Sequence, residues 1–242
     1  MIPYGEDAPL LRTRGLRYAW RGSENALAFD DLVVGRGDRL FLCGPSGSGK
    51  STLLGLLAGV LSPTEGDVSV LGTSFAASTP AARDGFRANH LGYVFQQFNL
   101  LPFLDPMQNV LLGCAWSRER AARAGSTRAS VRSEAKRLLL ALGLDARTIL
   151  HAHTGELSVG QQQRVAAARA MIGGPALLLA DEPTSALDST SRNAFLRLLL
   201  EECRRHGTGV VFVSHDLSLA RHFDRSVSLW PFAAHVRAGA AS

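Results

Sequence analysis

One short stretch, GPSGSGKS at positions 44–51, restricts the possible folds of this chain more than any other. It lies between two apolar runs, DRLFLC and STLLGLLAGV, which predict a buried strand before it and a helix after it. The spacing G-x-x-x-x-G-K-S in that setting is typical of a loop whose backbone N–H groups surround the phosphates of a nucleotide. Lys50 then places a cation at the β- and γ-phosphates, and the Ser51 hydroxyl is available to Mg²⁺. The stretch therefore predicts an α/β fold that binds a nucleoside triphosphate.

Polar side chains follow three other apolar runs, at the points where strands are expected to end. Asp181 and Glu182 follow LLLA, His215 follows VVFVS, and Gln96 follows YVF. Because the carboxyl ends of parallel strands meet at one edge of a sheet, we expect these residues near the phosphate loop. Phosphoryl transfer needs a carboxylate for the metal and a base that orients water, roles that suit Asp181 and Glu182. From the same edge His215 can reach a γ-phosphate, and Gln96 can contact Mg²⁺ or the attacking water.

The rest of the pattern predicts a parallel sheet with helices around it. Two continuous apolar runs typical of parallel strands are ALLLAD and GVVFVS, and the helix between them is STSRNAFLRLLLEECRRHG. Two N-terminal runs, GLRYAW and NALAFDDLVV, predict strands joined as a hairpin through RGSEN. Further strands are predicted at GDVSVLG and HLGYVFQQ, and VRSEAKRLLLALG predicts a helix that ends at Gly143. We expect one domain over residues 1–242, with a helical insertion from about 105 to 170.

Composition is that of a folded chain without membrane spans. The 242 residues are 46% apolar, enough to bury a substantial core. No apolar run approaches the ~18 residues that a membrane span requires, and the N-terminus is acidic where a secretory signal is basic and apolar. We therefore expect a cytoplasmic chain. The three cysteines lack metal-ligand spacing and are expected to be reduced thiols; they are Cys43, Cys114 and Cys203.

One segment, residues 117–137, is strongly basic. Its sequence SRERAARAGSTRASVRSEAKR holds six Arg, one Lys and two Glu, in a chain of formal net charge +5. Such a run is typical of a solvated helical surface, and attraction to nucleic acid or to anionic lipid headgroups is the alternative.

The stretch ELSVGQQQR, positions 156–164, predicts the start of a helix. Ser158 can cap the first backbone N–H groups while the Gln161 side chain reaches back to the cap. A helix start can also hold an anion, because its N–H groups and dipole favour negative charge. Val159 adds a side chain at this point but keeps its N–H, and Gly160 still permits close approach.

With these residues assembled, the chain resembles the ATP-binding cassette (ABC) ATPases, the nucleotide-binding subunits of ABC transporters. The resemblance covers nearly the whole chain and rests on six motifs in the family's order and spacing. They are GPSGSGKSTLL (Walker A), YVFQ (Q-loop), LSVGQQQRV (signature), LLLADE (Walker B), SALD (D-loop) and SHD (H-loop). The resemblance implies a P-loop NTPase fold of ABC ATPase type, with a parallel sheet core, an N-terminal antiparallel β subdomain and a helical signature subdomain.

The resemblance also implies roles for single residues. Glu182 would be the general base, His215 would contact the γ-phosphate, and Gln96 would couple the metal site to a partner subunit. Trp20 would stack on adenine, with Tyr18 as the alternative. The residues implied in ATP binding are Trp20, Gly44, Pro45, Ser46, Gly47, Ser48, Gly49, Lys50, Ser51 and Thr52, and those implied in Mg²⁺ binding are Ser51, Gln96 and Asp181.

In this family the signature of one cassette faces the nucleotide held by another. Ser158, Val159, Gly160 and Gln161 would therefore act in trans, and Asp188 of the D-loop would help to shape the opposite site. The active unit implied is a pair of cassettes, head to tail, around two Mg-ATP, and we expect a homodimer.

Within the family, the chain looks most like the ATPases of the macrolide-exporter and lipoprotein-release group. That likeness implies an ATPase on the cytoplasmic face of the inner membrane, bound peripherally to a separate integral-membrane permease, with no nucleic acid partner. The helical insertion is expected to receive a coupling helix of the permease near Phe98 to Met107, and Gln108 stands where the group usually carries Glu. The alternatives are a cassette that regulates a membrane partner without transport, and a soluble ABC ATPase that acts on nucleic acid. The latter kind inserts long coiled coils, whereas only 107 residues separate Ser51 from Ser158 here.

Overall fold

The apolar runs after the phosphate-loop motif form a five-stranded parallel sheet. The computed structural model describes residues 8–20, 22, 25–230 and 233–235. The strands of this sheet are β4 (Arg39–Cys43), β7 (Leu91–Val94), β8 (Leu177–Asp181), β9 (Gly209–Val213) and β10 (Arg225–Ser228), in the order β10-β4-β9-β8-β7. Every residue of β8 and β9 is buried, as expected for central strands covered on both faces.

Three helices accompany the strands of this sheet. They are α1 (Lys50–Leu57), α2 (Pro80–His90) and α8 (Ser189–His206). The predicted helix between β8 and β9 is confirmed as α8, which ends at Gly207 with φ of 63°. The predicted helix after the phosphate loop is shorter than its apolar run, because Gly59 turns the chain with φ of 66°. Helix α2, which starts with the Thr79 cap and Pro80, was not predicted from the sequence.

A second, antiparallel sheet includes the N-terminal hairpin. Its strands are β1 (Leu11–Ala19), β2 (Asn25–Ala28), β3 (Val33–Val34), β5 (Glu65–Val70), β6 (Thr73–Ser74) and β11 (Ala233–His235). The predicted hairpin is confirmed by the pairing of β1 with β2, in which Ala19 lies opposite Ala26. Residues 21, 23 and 24 of the predicted RGSEN turn lie outside the described residues.

The prediction of one continuous strand over NALAFDDLVV is wrong. The run is divided into β2 and β3 by residues 29–32, where two side chains accept backbone hydrogen bonds beside those that join the main chains. The Thr13 hydroxyl accepts a hydrogen bond from the Leu32 N–H at 2.7 Å, and the Asp31 carboxylate accepts one from the Gly15 N–H at 2.7 Å. The alternation of apolar residues in the sequence does not reveal that side chains will accept hydrogen bonds from backbone N–H groups here.

Five helices occupy the region where the sequence predicts the helical insertion. They are α3 (Pro106–Ala115), α4 (Arg118–Ala124), α5 (Arg128–Ala141), α6 (Ala146–His151) and α7 (Val159–Met171). At the start of α3 the Asp105 carboxylate accepts the Gln108 N–H, and the Gln108 side-chain oxygen accepts the Asp105 N–H. A glutamine closes this capping box as well as a glutamate does, so position 108 is compatible with either.

The two faces of the parallel sheet bury different partners. Phe41 and Phe212 stack on the face covered by the helices of the insertion, with ring centroids 6.4 Å apart. Leu40, Leu42 and Val211 pack on the opposite face, in one cluster with α1 and the antiparallel sheet. Because alternate residues of each strand point to opposite faces, the parallel sheet ties these two halves together.

Arg120 fastens the insertion to the sheet from inside. Its buried guanidinium donates to the carbonyls of Leu91 at 2.8 Å and Ile172 at 2.7 Å, and to that of Ala170. Burial lowers the pKa of Arg120 to about 10. The three carbonyls lie at the start of β7 and the end of α7, so the Arg120 side chain links this strand to this helix.

We expect Arg120→Met to lower the free energy of unfolding by about 3 kcal/mol, because it leaves buried carbonyls without donors. Urea unfolding followed by circular dichroism measures the change. Arg118→Met, on the exposed face of the same helix, is the matched control and should change stability by less than about 0.5 kcal/mol. Equal losses in both variants would mean that Arg120 contributes no more than a surface arginine.

Candidate functional site

The phosphate loop lies between β4 and α1, at the carboxyl edge of the parallel sheet. Gly47 and Gly49 have φ of 80° and 89°, values that favour glycine. Gly44 is required for another reason: a Cβ there would lie 2.4 Å from the Leu229 carbonyl oxygen. The remaining loop positions of the predicted ATP site lie on its surface or at the first turn of α1; they are the exposed Pro45, Ser46 and Ser51, the buried Ser48 and the half-buried Thr52.

Lys50 curls back along this loop. Its buried ammonium group donates to the carbonyls of Gly44 at 2.9 Å and Pro45 at 2.8 Å. The N-cap of helix α1 is Gly49, which supplies no side-chain cap to the first N–H groups. A loop with a central cation and an uncapped helix start fits phosphate oxygens, which accept from both. Among the described residues the buried Ser48 Oγ has no hydrogen-bond partner.

Ser51 and Asp181 form the oxygen pair expected for a magnesium ion. Burial raises the pKa of the Asp181 carboxyl, and the nearby Ser51 hydroxyl acts in the opposite direction. A hydroxyl and one carboxylate fit Mg²⁺, which usually takes few protein ligands and completes its shell with water and substrate phosphates. The described residues contain no cluster of three His, Cys, Asp or Glu side chains that could hold a metal without such help.

Glu182 lies between the phosphate loop and the end of β9. Its carboxylate oxygens are 4.0 Å from Lys50 Nζ and 3.2 Å from His215 Nδ1. Its backbone has φ of 43°, a strained value for a residue other than glycine. The conformation is held by a hydrogen bond of 3.0 Å from the Glu182 N–H to the Val213 carbonyl. The carboxylate thus lies at the sheet edge, within reach of both Lys50 and His215.

His215 reaches this carboxylate from the turn after β9. The preceding Ser214 is buried and its N–H donates to the Leu42 carbonyl at 3.1 Å, which fixes the turn against β4. The His215 side chain itself remains 63% exposed. The structure therefore brings three predicted residues, Lys50, Glu182 and His215, into one row at the sheet edge.

Gln96 shares the edge but makes no hydrogen bond to that row in the described part of the chain. It lies exposed in a turn after β7, next to β8, where Val94 pairs with Ala180. Within the described residues no hydrogen bond of its side chain is present. The turn continues through Phe98 and Asn99, whose φ values of 58° and 49° are left-handed. The contact of the Gln96 side chain with Mg²⁺ or the attacking water stays a prediction.

Trp20 lies at the end of β1, on the side of the phosphate loop. It is 49% exposed and meets Tyr18 edge to face, with ring centroids 5.1 Å apart. Tyr18 pairs across the hairpin with Leu27, whose side chain borders Gly49. Both aromatic residues therefore lie beside the loop, and stacking on adenine stays a prediction for either.

The signature segment is a capped helix start, as predicted. The Ser158 Oγ accepts from the Gln161 N–H at 3.3 Å, and the Gln161 Oε1 accepts from the Ser158 N–H at 2.9 Å. Val159 is 47% exposed. At Gly160 a Cβ would find its nearest neighbour, Leu187, at an ordinary 3.5 Å, so the packing of this chain does not require glycine there.

A family model for ABC transporters matches residues 30–185, which is more than half of the chain. The chain belongs to the ABC transporter family. The cassette is 44% identical over 199 residues to the uncharacterized ABC transporter ATP-binding protein YbbA of Escherichia coli K12, covering 82% of this chain and 83% of YbbA. It is 36% identical over 223 residues to the macrolide export ATP-binding/permease protein MacB of Rhodopirellula baltica. That match covers 91% of the cassette but 32% of MacB, so the cassette spans about a third of such a protein.

Solved structures agree with the fold of the cassette. The dimeric structure of MJ0796, a bacterial ABC transporter cassette, superimposes with a TM-score of 0.80 at 33% identity, covering 90% of this chain and 94% of that one. A dimeric post-hydrolysis state of MJ0796 bound to ADP and Pi gives a TM-score of 0.81 at 32% identity, covering 91% and 94%. The predicted ABC ATPase fold is thereby confirmed.

Asp188 of the cassette caps α8. Its carboxylate accepts from the Ser191 N–H at 2.9 Å, and these hydrogen bonds hold the pKa of Asp188 below its usual value. Leu187, directly before it, borders Gly160. The D-loop and the signature are thus neighbours in one cassette, and the role of Asp188 toward an opposite site stays a prediction.

Two residues that tie the cassette together carry no signal in the sequence. Arg169, in the last turn of α7, donates to the carbonyls of Phe98 and Asn99, and burial lowers its pKa. Asn109 is fully buried and donates to the Leu101 carbonyl at 3.0 Å and to the Thr154 hydroxyl at 2.9 Å. Their partners are mostly backbone carbonyls in other segments of the chain, and a sequence motif does not identify such partners.

We expect Val159→Gly to change ATP turnover of the cassette by less than about tenfold. The valine side chain points to solvent, and its backbone N–H at the start of α7 is retained in either residue. Steady-state phosphate release measures the effect. A change of several hundredfold would show that the side chain itself governs the site.

Proposed function

We propose that the chain hydrolyses Mg-ATP as one of two cassettes that share their sites, and that it drives a separate membrane permease from the cytoplasmic face of the inner membrane. The observation that carries this proposal is the row of Lys50, Glu182 and His215 beside a glycine-rich loop. The strained backbone of Glu182 supports the proposal, since such conformations cluster at functional sites.

The chemistry divides among the residues of that row. The loop and Lys50 hold the phosphates, and Ser51 with Asp181 would hold Mg²⁺, which when bound neutralises charge on the phosphate oxygens. Glu182 orients water for attack on the γ-phosphate and takes its proton. His215 keeps the Glu182 carboxylate in place through its Nδ1 and faces the γ-phosphate side of the loop.

One chain supplies only part of this site. No contact joins Ser158 or Gly160 to the phosphate loop within the described residues, although both lie at the N-terminus of a 13-residue helix. The space left over Gly160 suits an anion approaching from outside the chain. A second cassette in the reverse orientation would bring such an anion, the γ-phosphate held by its own loop. We therefore include a head-to-tail homodimer in the proposal.

An exposed apolar groove of about 560 Å³ next to the Q-loop is the surface proposed for the permease. Leu101 and Trp116 line it and are 38% and 85% exposed, beside Tyr93 and Phe95. Asn109 joins Leu101 to Thr154, which lies four residues before Ser158. Movement of a segment seated in the groove would therefore be transmitted through Asn109 toward the signature.

None of the helices in the described part of the chain is long and apolar enough to cross a membrane.

The permease is proposed to be of the exporter or mechanotransmission type. The similarity to MacB, a macrolide export ATP-binding/permease protein, supports the type.

Co-purification tests the proposal. The Glu182→Gln variant, isolated with Mg-ATP from gently solubilised membranes, should retain a stoichiometric integral-membrane chain. Adding Leu101→Asp and Trp116→Asp should remove that chain, whereas adding Leu140→Asp, a similarly exposed leucine outside the groove, should not. Recovery of only soluble protein or nucleic acid would overturn the proposal.

A further inference from the structure

The net positive charge of this chain arises in one segment. Residues 117–137 hold seven of the 26 basic residues and two of the 21 acidic ones. The excess of five positive charges in this segment equals the formal net charge of the whole chain. The remainder of the protein carries no formal net charge, so the long-range attraction of the chain to an anionic surface is centred on this segment.

The structure assigns different tasks to these charges. Arg120 is buried, while Arg123 and Arg137 pair with the two acidic residues of the segment, at 2.8 Å in each case. Arg118, Arg128 and Arg132 have no carboxylate within 4.0 Å in the part of the chain that the structure describes. Three exposed guanidinium groups thus remain without an anionic partner.

These three arginines lie around one cleft. The cleft measures about 560 Å³ and lies between α3, α4 and α5. Its floor is aliphatic, with Leu111 from α3, Ala121 from α4 and Val131 from α5. Like charges around a shared opening repel one another, and an anion in the opening would relieve that repulsion.

The chemistry of the rim favours phosphate oxygens over a peptide. The hydroxyls of Thr127 and Ser130 are used in the capping box of α5 and bond to each other's backbone. The rim otherwise presents guanidinium donors and the Ser126 hydroxyl, and no carboxylate lines the cleft. A lipid phosphate brings charged acceptors that match these guanidinium donors, and its apolar glycerol portion suits the floor, whereas the backbone carbonyls of a peptide are neutral acceptors.

The position of the cleft fits a membrane surface, if the proposed function holds. Helix α3 lines both features: its Leu112, with Trp116 directly after the helix, lines the proposed permease groove, and its Leu111 lines the cleft. One helix diameter, about 10 Å, therefore separates them. A permease seated in the groove would bring the surrounding headgroups to this side of the cassette.

We propose that the cleft rimmed by Arg118, Arg128 and Arg132 binds the headgroup of an anionic phospholipid. Binding of the headgroup in this cleft fastens the helical insertion to the membrane beside the permease. Each basic residue near an anionic surface contributes about a fivefold factor to partitioning, so three contribute on the order of a hundredfold.

Vesicle flotation tests this proposal with the purified full chain. Vesicles contain either phosphatidylcholine alone or a mixture with one-third phosphatidylglycerol. Wild type should float with the anionic vesicles, and the combined variant Arg118→Ala/Arg128→Ala/Arg132→Ala should lose on the order of a hundredfold in partition coefficient. The matched control is Arg147→Ala/Arg197→Ala/Arg205→Ala, which removes the same charge from exposed arginines elsewhere and should retain most of the binding. Thermal unfolding of both variants checks their folding.

Three results would overturn the proposal: no flotation of wild type, equal losses in the two variants, or full binding by the cleft variant. Loss of the permease from the cleft variant, with no lipid binding by wild type, would assign the cleft to an acidic protein segment instead. ATP turnover measured on the same samples keeps this outcome separate from the proposed function. A cassette that hydrolyses ATP but ignores anionic lipid contradicts only the cleft proposal.

Discussion

Glu182→Gln should lower steady-state ATP turnover by about 100- to 10,000-fold while ATP binding is preserved. The amide has the shape of the carboxylate but cannot take a proton from water. The nucleotide-holding groups, Lys50 and the glycine loop, remain in place, because Lys50 is fastened by the Gly44 and Pro45 carbonyls rather than by Glu182. Phosphate release and equilibrium binding of a fluorescent ATP analogue measure the two effects.

The matched control is Glu201→Gln, which changes the same chemical group in an exposed ion pair with Arg204. Its turnover should stay within about twofold of wild type, since surface pairs contribute little. Turnover of Glu182→Gln within threefold of wild type would remove Glu182 from the role of general base.

Gly160→Asp should lower ATP turnover by at least about a hundredfold without unfolding the chain. A side chain fits at this position, and an acidic residue in the first turn of α7 is favourable to the helix dipole. The same carboxylate would face the γ-phosphate of the opposite cassette, where like charges cost several kcal/mol. Stability and activity should thus respond in different ways to one substitution.

Two further variants separate charge from position. Gly160→Ala adds volume without charge and should reduce turnover less than the aspartate does. Gly85→Asp places the same residue on the exposed face of α2, where nothing lies within 4 Å of a Cβ, and should leave turnover unchanged. Wild-type turnover in Gly160→Asp would mean that no phosphate approaches the signature.

The catalytic edge could be predicted from sequence because each part of it is local. The glycine loop, the carboxylates after LLLA and the histidine after VVFVS each follow an apolar strand, and parallel strands bring their ends together. The start of α7 was predictable for the same reason, since Ser158 and Gln161 lie three residues apart and satisfy each other.

The parts that could not be predicted depend on distant backbone atoms. The strand break at residues 29–32 arises from the side chains of Thr13 and Asp31, which compete with the ladder. Arg120 reads as one more basic residue in a charged run, yet its task is to bind three carbonyls of β7 and α7. Such contacts form only in the folded chain and produce no periodic pattern in the sequence.

The shared site is tested most directly by the mass of the Glu182→Gln chain in solution. Sedimentation equilibrium in Mg-ATP should give twice the chain mass, and removal of ATP should return the single mass. Adding Gly160→Asp to the same chain should keep it at the single mass in Mg-ATP, because the repelled γ-phosphate no longer bridges two copies. A single mass for Glu182→Gln under saturating Mg-ATP, or the same double mass with Gly160→Asp, would contradict a site completed by the signature of a second cassette.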